Sequence, residues 1–293
     1  MGLRTKLNLL LLLVGGLGAF LFAVALGPYL NVLTRSEVMQ SSRIMMASAA
    51  GARKYTAEQI APLLMDRMGE RFYPQAVSAY AAVKGFDVLH AQFTDYSYRE
   101  PALNPTNLID KSTDWESDII QDFRSHPSQA ESTTVRQTIR GPILNLARPI
   151  RADPSCLACH GAPLTAPRSM LAIYGSDHGF GWKPGEIIGA QIVSVPMKIA
   201  DDRAAEIRNR FLAIYLGVFL ILAATLNIGL RIMVTGPVRT MSTIAEAVSL
   251  GNADAPEFDR RGSDEIARLA QSFTRMRRSL EQALRLLTPP RAP

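Results

Sequence analysis

The stretch Cys156-Leu157-Ala158-Cys159-His160 carries the strongest chemical signal in the chain, and the segments on either side are organised around it. A cysteine pair with this spacing, followed directly by histidine, is the attachment signature of c-type haem. The two intervening residues let both thiols reach the two vinyl groups on one edge of a porphyrin. The motif therefore predicts one haem c held covalently by Cys156 and Cys159, with His160 as the proximal iron ligand.

Other interpretations of the motif fit the sequence less well. Cys156 and Cys159 are the only cysteines, which excludes a disulfide framework and a zinc site with three or four cysteine ligands. A site with two cysteines and two histidines would draw on His90, His126 and His178, which lack the paired spacing of zinc fingers. A thioredoxin-like redox pair would not need the histidine and would normally open a helix after a strand.

Two long apolar segments flank the motif. The first, residues 7–33, follows Arg4 and Lys6 and exceeds the roughly 7–15 apolar residues of a cleaved signal peptide. Cleavage near Ala23-Val24-Ala25 is nevertheless the alternative for it. The second, Phe211–Leu230, has no charged residue, which disfavours a buried core helix. Spanning a bilayer takes about 20 apolar residues, so we predict transmembrane helices at 7–33 and 211–231.

Two spans place both termini on the same side of a membrane. Basic residues lie next to the spans on both sides, so their distribution does not decide the orientation. The haem motif decides it, because covalent haem attachment takes place outside the cytoplasm. We predict a bacterial inner-membrane protein with a cytoplasmic N-terminus at 1–6, a periplasmic domain at 34–210, a cytoplasmic segment at 232–287 and a tail at 288–293. The net charge of +6 comes mostly from scattered basic residues, which fits a membrane surface better than nucleic acid.

The periplasmic segment has the pattern of an α+β domain. A patchy helical pattern over Ser36–Leu64 continues the first apolar segment. Thr113, with Glu116 three residues later, has the spacing of a capping box and predicts another helix. Strands are predicted from β-branched or alternating residues at Thr134–Ile139, Ile143–Ile150 and Ile187–Val195. Helices followed by antiparallel strands are typical of an α+β fold.

Longer motifs within Arg35–Met197 resemble a bacterial family of sensor domains that carry a single c-type haem. The matching stretches are Tyr96–Arg99, Leu103–Asn107, Asp114–Glu116, Ala147–Ile150, Cys156–Gly161, Tyr174–Gly175, Gly179–Glu186, Gly189–Gln191 and Val195–Met197. The resemblance implies a PAS-like fold and haem-based sensing of redox state or of a small ligand. In one departure, a soluble cyanobacterial relative uses a cysteine as the second iron ligand, whereas this chain has no third cysteine.

The sixth iron ligand is therefore open. Met46 is the first candidate, because the relative's ligand lies on the helix after its N-terminal region, and His90 is the second. The alternative for each is an ordinary core residue. We expect the ring nitrogen of His160 that faces away from the iron to donate to a backbone carbonyl or water. Trp182 is expected to pack either on the haem ring or in the core.

Haem propionates need cationic partners. Three basic residues could supply them: Arg99, Arg148 and Lys183. Ordinary surface salt bridges are the alternative for all three. Of the remaining histidines, His126 is expected at a helix end and His178 in an exposed loop.

The segment after the second span has the pattern of a two-helix signalling module. Pro237 begins a helix that ends at Gly251, and Asp264 with Glu265 opens a second helix. Apolar residues of the second helix recur at alternating spacings of three and four, namely Ile266, Leu269, Phe273, Met276, Leu280, Ala283 and Leu287. This order resembles a HAMP domain over Arg231–Leu287, which implies a parallel four-helix coiled coil formed by two chains. A surface helix packed on its own domain is the alternative.

These features predict a PAS-like periplasmic haem domain between two transmembrane helices, followed by an all-α HAMP coiled coil. The chain has no P-loop, nucleophile elbow or paired catalytic carboxylates, so we expect no enzymatic activity. The favoured function is a haem sensor that signals to a separate cytoplasmic protein. A membrane-anchored electron carrier is the alternative, because no output domain follows the HAMP-like segment. Peroxidase-like chemistry is a distant third hypothesis.

Overall fold

The computed structural model describes residues 2–252, 255–258 and 262–287. They form two compact units: Val24–Asn209, here called the sheet unit, and Met1–Ala23 with Arg210–Pro293, the helical unit. The helices are α1 Leu3–Tyr55, α2 Ala61–Leu64, α3 Ser78–His90, α4 Asp114–Ser125, α5 Leu157–His160, α6 Arg168–Tyr174, α7 Lys198–Leu230, α8 Gly236–Ser249 and α9 Glu265–Leu287. The strands are β1 Ser97–Arg99, β2 Ser132–Thr138, β3 Gly141–Arg151 and β4 Ile187–Pro196. The tail predicted at 288–293 lies outside the described residues, and the domain boundaries stay predictions.

A four-stranded antiparallel sheet in the order β1-β4-β3-β2 forms the centre of the sheet unit. The predicted α+β architecture is confirmed, and β2, β3 and β4 match the predicted strands closely. The predicted capping box is also confirmed, because the Glu116 carboxylate accepts from the Thr113 backbone N–H at 2.8 Å at the start of α4. The sequence analysis missed β1, an edge strand only three residues long.

The sheet carries a hydrophobic core on each face. Side chains alternate along a strand, so the paired residues Leu146 and Val193 face one side, and the next pair, Ala147 and Ile192, faces the other. Helices α1 and α3 cover the first face with Val38, Met46, Ala49, Ala82 and Phe86. Helix α4 covers the second face with Ile119, Ile120 and Phe123. This two-sided burial explains why β4 is an almost unbroken run of buried residues, most of them apolar.

Two π turns interrupt the long helices. Thr56–Ile60 separates α1 from α2, and Arg231–Thr235 separates α7 from α8. Each lies just before a proline, Pro62 or Pro237. A proline ring in a regular α-helix clashes with the carbonyl four residues earlier. The wider π turn, with hydrogen bonds five residues apart, relieves that clash while the chain stays helical.

Two helical stretches are long and apolar enough to cross a membrane, judged by length and composition: Arg4–Arg67 and Lys198–Ser249. The spans predicted at 7–33 and 211–231 lie within them. Only 6% of the apolar window in the first stretch and none of that in the second is buried. A core helix of a soluble protein would be mostly buried, so the exposure argues against that alternative.

Within the helical unit, the first part of α1 and the apolar part of α7 pack through aromatic rings set against glycines. The Tyr215 hydroxyl donates to the Gly15 carbonyl at 2.9 Å, and its ring stacks on Phe22. Phe219 lies so close to Gly15 that a Cβ there would be 2.2 Å from its ring. The Asn227 side-chain amide donates to the Asn8 side-chain oxygen at 2.8 Å. This bond gives each polar side chain a partner that lipid tails could not provide.

We expect Gly15→Val to weaken the packing of the two spans, because the new side chain would overlap the Phe219 ring. Overpacking of this kind typically costs about 1–3 kcal/mol. Gly16→Val is the matched control, since a Cβ at Gly16 meets nothing within 4 Å. Unfolding of the full chain in mixed micelles with increasing SDS fraction would measure both. Equal loss of stability in the two variants would contradict the packing described here.

The helices α8 and α9 form the rest of the described helical unit. α8 starts with Pro237 in its first turn and ends at Ser249, and Gly251 adopts φ +85° just beyond, as predicted. Met241 and Ile244 of α8 and Ala267 and Ala270 of α9 are buried. The predicted heptad residues Leu269, Met276 and Leu280 are instead 51%, 62% and 48% exposed in the single chain. The side chain of Leu287 lies outside the described residues.

Candidate haem site

The cysteine motif lies on a short helical stretch that follows β3. Pro154–Cys156 forms a 3₁₀ turn that runs into α5. The Asp153 carboxylate accepts from the Ser155 backbone N–H at 3.0 Å and from its hydroxyl at 2.8 Å, which caps this turn and lowers the pKa of Asp153. Residues three apart on such a turn lie on the same side. Cys156 and Cys159 are therefore presented together as free, half-buried thiols.

The His160 ring is fixed by a hydrogen bond from Nδ1. The Gly179 carbonyl oxygen lies 2.8 Å from Nδ1, and the Thr106 hydroxyl lies 3.2 Å away. A carbonyl can only accept, so Nδ1 carries the proton and Nε2 keeps its lone pair. Burial lowers the pKa of His160, against the opposing effect of the Gly179 hydrogen bond, and favours the neutral ring. Nε2 is therefore ready to bind a metal, and the expected backbone acceptor is Gly179.

A glycine-rich loop between α6 and β4 forms backbone hydrogen bonds to the end of the motif. The Gly181 N–H donates to the Gly161 carbonyl at 2.7 Å, and the Trp182 N–H donates to the His160 carbonyl at 3.2 Å. The Trp182 ring stacks on the His160 ring with centroids 3.9 Å apart and planes at 11°. The ring of His160 is therefore held by backbone bonds, a side-chain bond and a stacking partner together.

Gly179 occupies a position that only glycine fits. Its φ is +79°, and a Cβ there would lie 2.0 Å from the Thr106 hydroxyl oxygen and 2.7 Å from the Thr106 backbone nitrogen. L-residues avoid this region of φ. The close approach brings the loop of Thr106 and the loop of Gly179 to the same nitrogen of His160.

The segment that carries Thr106 is itself pinned to the sheet. The Ala190 N–H donates to the Pro101 carbonyl at 3.0 Å, and the Leu103 N–H donates to the Ile188 carbonyl at 3.3 Å. Gly189 lies against this segment, since a Cβ there would be 2.4 Å from the Pro101 oxygen. The start of β4 thus positions Thr106 at the site.

The sequence matches two family models. Residues 31–196, more than half of the 293-residue chain, match the model described as Tll0287-like. The chain belongs to the Tll0287-like family. Residues 230–282 match the HAMP domain model. Both resemblances predicted from the motifs are therefore confirmed.

One solved structure similar to this Tll0287-like chain is the crystal structure of the cyanobacterial heme-protein Tll0287. It shares 20% sequence identity, and the match covers 55% of this chain and 95% of that chain with a TM-score of 0.45. No curated protein matches the chain.

The two candidate sixth ligands lie on helices α1 and α3 of the Tll0287-like domain. Met46 is completely buried in the cluster formed by α1, α3 and the sheet, beside residues such as Phe86 and Val193. His90 ends α3, and its Nδ1 lies 2.7 Å from the Tyr96 carbonyl oxygen. In the described part of the chain, the hydrogen bonds and ring stacking of His160 involve Gly179, Thr106 and Trp182, and the role of Met46 and His90 as ligands stays a prediction.

The candidate propionate partners are dispersed. Arg148 binds Glu131 at 3.0 Å, and Arg99 contacts the buried Glu116 at 3.4 Å. Lys183 is exposed in the loop that clamps His160 and is the candidate nearest in sequence to that clamp. The first two therefore form the salt bridges named as their alternative, and the role of all three in propionate binding stays a prediction.

The residues present have the donor set that a c-type haem requires. Burial and the neighbouring Cys156 thiol raise the pKa of Cys159, so Cys159 is a neutral thiol at neutral pH. His160 adds a neutral imidazole with a protonated Nδ1 and a free Nε2 lone pair. Sequence reasoning gave Thr106 and Gly179 no role, although the glycine-rich stretch beginning at Gly179 was a usable signal.

Proposed function

We propose that this chain is a membrane-bound sensor whose Tll0287-like domain carries one covalently attached haem c. The observation that carries the proposal is the bond between His160 Nδ1 and the Gly179 carbonyl, which leaves Nε2 as the free donor beside Cys156 and Cys159. Ligating histidines usually donate their other ring N–H to such an acceptor. The union of this domain with a HAMP domain supports a role in signal transduction.

Attachment requires only the two thiols of the motif. Each S–H would add across one vinyl group, so that sulfur would bond to one carbon and the thiol hydrogen would go to the other. No group leaves and no electron acceptor is consumed. The helical turn that begins at Pro154 presents Cys156 and Cys159 on the same side, toward one edge of a porphyrin.

His160 would hold the iron through Nε2. Bound haem supplies a one-electron redox centre whose iron can also gain or lose a sixth ligand. The Gly179 carbonyl and Thr106 hydroxyl fix the tautomer of His160, and Trp182 restricts rotation of its ring. These contacts transfer a displacement of His160 to the loops that bear them.

The proposed topology follows from the attachment chemistry. Haem is joined to such motifs outside the cytoplasm, so the sheet unit is periplasmic and the HAMP segment cytoplasmic. The two apolar helices then serve as the spans, and both termini face the cytoplasm. This orientation places the input and the output of a sensor on opposite sides of the inner membrane.

The α9 helix supports a homodimer as the signalling form. Leu269, Met276 and Leu280 are largely exposed in one chain although they belong to a regular heptad seam. Such a seam is stabilised when it packs against partner helices. A separate cytoplasmic protein would read the state of the dimer.

We expect bismaleimide crosslinking of Leu280→Cys to differ between ferricyanide-oxidised and dithionite-reduced membranes. The native cysteines are held as thioethers under this proposal, so the new thiol is the one available for reaction. A coupling of about 1–3 kcal/mol corresponds to a shift of about 5–150-fold in the equilibrium. Ser279→Cys, an exposed residue of α9 outside the seam, is the control.

Equal crosslinking of Leu280→Cys in both redox states would favour the electron carrier over the sensor. Reduced-minus-oxidised spectra with and without CO and NO would then distinguish an open iron from a closed one. A spectral change with either gas would show that the iron is open to a small ligand, whereas an unchanged spectrum would indicate a closed redox site.

A further inference from the structure

A buried polar chain joins the end of α1 to the sheet. The Arg53 guanidinium binds the Glu100 carboxylate, whose side chain is 4% exposed. The Tyr98 hydroxyl donates to Glu100 at 2.5 Å, and the Gln191 side-chain amide donates to the Tyr98 hydroxyl at 2.8 Å. The chain therefore crosses from α1 through the edge strand β1 to the central strand β4.

The Glu100 carboxylate of this polar network depends on its partners for its charge. Burial raises the pKa of Glu100, while Arg53 and the Tyr98 hydroxyl favour its ionised form. A buried carboxylate without a cationic partner is strongly disfavoured. Movement of Arg53 away from Glu100 is therefore costly, and the last turn of α1 and Glu100 are expected to move together.

Glu100 is also the first residue of the segment that leads to the site. Pro101 and Leu103 are bonded to β4, and Thr106 contacts His160 Nδ1 at 3.2 Å. The same short segment thus meets Arg53 at one end and His160 at the other. The other ion pairs between α1 and the rest of the described sheet unit involve residues outside this segment. They are Arg43 with Glu131, Lys54 with Glu58, and Glu37 with Arg203.

The far end of this connection is a transmembrane helix. α1 is one continuous helix over Leu3–Tyr55, so Arg53 lies two residues before the end of the helix that begins with the first apolar segment. The π turn at Thr56–Ile60 follows directly and ends the regular helix. Arg53 therefore belongs to the same helix as the predicted first span.

We propose that the Arg53–Glu100 ion pair is the contact through which the state of the haem site biases the first transmembrane helix. This inference rests on the proposed sensor function. Glu100 acts as a positioning residue: it transmits displacement of the Thr106 segment to Arg53 and does not itself touch the iron. Linkage requires the reverse effect as well, so a constraint on α1 changes the reduction potential of the haem.

The test uses the full chain in lipid nanodiscs with Leu280→Cys as the reporter. Glu100→Gln removes the charge with little change in shape, and Arg53→Met with Glu100→Gln removes both charges and leaves none unpaired. Arg43→Gln breaks the ion pair to Glu131 and is the matched control. The readouts are the haem absorbance, the ratio of crosslinking in oxidised and reduced samples, and the midpoint potential before and after crosslinking.

We expect both variants of the ion pair to keep the haem spectrum while the crosslinking ratio falls to about one. The control should keep the ratio of the Leu280→Cys parent. Crosslinking should shift the midpoint potential of this parent, by 59 mV for each tenfold bias, and should not shift that of Glu100→Gln in the same background. An unaltered ratio in the double variant overturns the role of the ion pair alone. Absence of any redox difference in the parent chain, with the haem retained, overturns the sensor function as well.

Discussion

The double variant Cys156→Ala with Cys159→Ala is expected to lose all covalently attached haem. The chain has no other cysteine, so no thiol remains to add to a vinyl group. His160 alone would have to hold the cofactor by coordination, which denaturing solvent disrupts. The pyridine haemochrome absorbance of purified membranes should fall to the background of cells without the protein, after correction for protein amount.

Three further variants sharpen that experiment. Ala158→Ser alters an exposed residue between the cysteines while preserving their spacing, and it should keep full haem content. Each single cysteine variant should keep haem through one thioether, with the haemochrome band displaced because one vinyl group stays unsaturated. Haem that survives denaturing extraction in the double variant would rule out attachment through this motif.

Gly179→Ala is expected to be among the most damaging single-methyl changes in the sheet unit. The residue adopts φ +79°, and the new Cβ would overlap the Thr106 backbone, which cannot rotate away. An L-residue in this region of φ costs about 1–2 kcal/mol. Displacement of the loop would also break the bond to His160 Nδ1, and loss of a buried hydrogen-bond partner costs about 1–3 kcal/mol more.

Gly185→Ala is the matched control for this change. Gly185 has nearly the same φ, +77°, but a Cβ there meets nothing within 4 Å. The control should therefore show only the conformational cost, whereas Gly179→Ala should show the clash and an altered iron coordination in addition. Thermal unfolding of the full chain with the haem spectrum recorded alongside would measure both. Equal stability and identical spectra of the two variants would contradict the assigned contacts around His160.

Local patterns explain which parts of the fold were predictable. The strand at Ile187–Pro196 is an apolar run, and the capping box at Thr113 needs only a residue three positions away. β1 was missed because three residues carry too little pattern, and its pairing with Ser194, Val193 and Ile192 is set by tertiary structure. The exposed face of α9 was recognisable because a heptad is a local repeat.

The residues of the site likewise include some that the local sequence predicts and others that only the fold brings together. Cys156, Cys159 and His160 are adjacent in sequence, so their chemistry could be recognised without a structure. Thr106 lies 54 residues before His160 and Gly179 lies 19 after it, and only the folded chain brings their oxygen atoms to one nitrogen. Arg148 illustrates the converse: as a cation near the motif it was a candidate for propionates, but the fold gives it Glu131 as a partner.

The π turn at Arg231–Thr235 separates the helical phase of α7 from that of α8. In an α-helix each residue advances the facing direction by about 100°. A π turn accommodates one additional residue in a single turn, so the faces of the two helices cannot be extrapolated as one continuous periodicity. The side of α8 that buries Met241 and Ile244 is consequently not predicted by the apolar pattern of α7 and has to be read from the residues of α8 themselves.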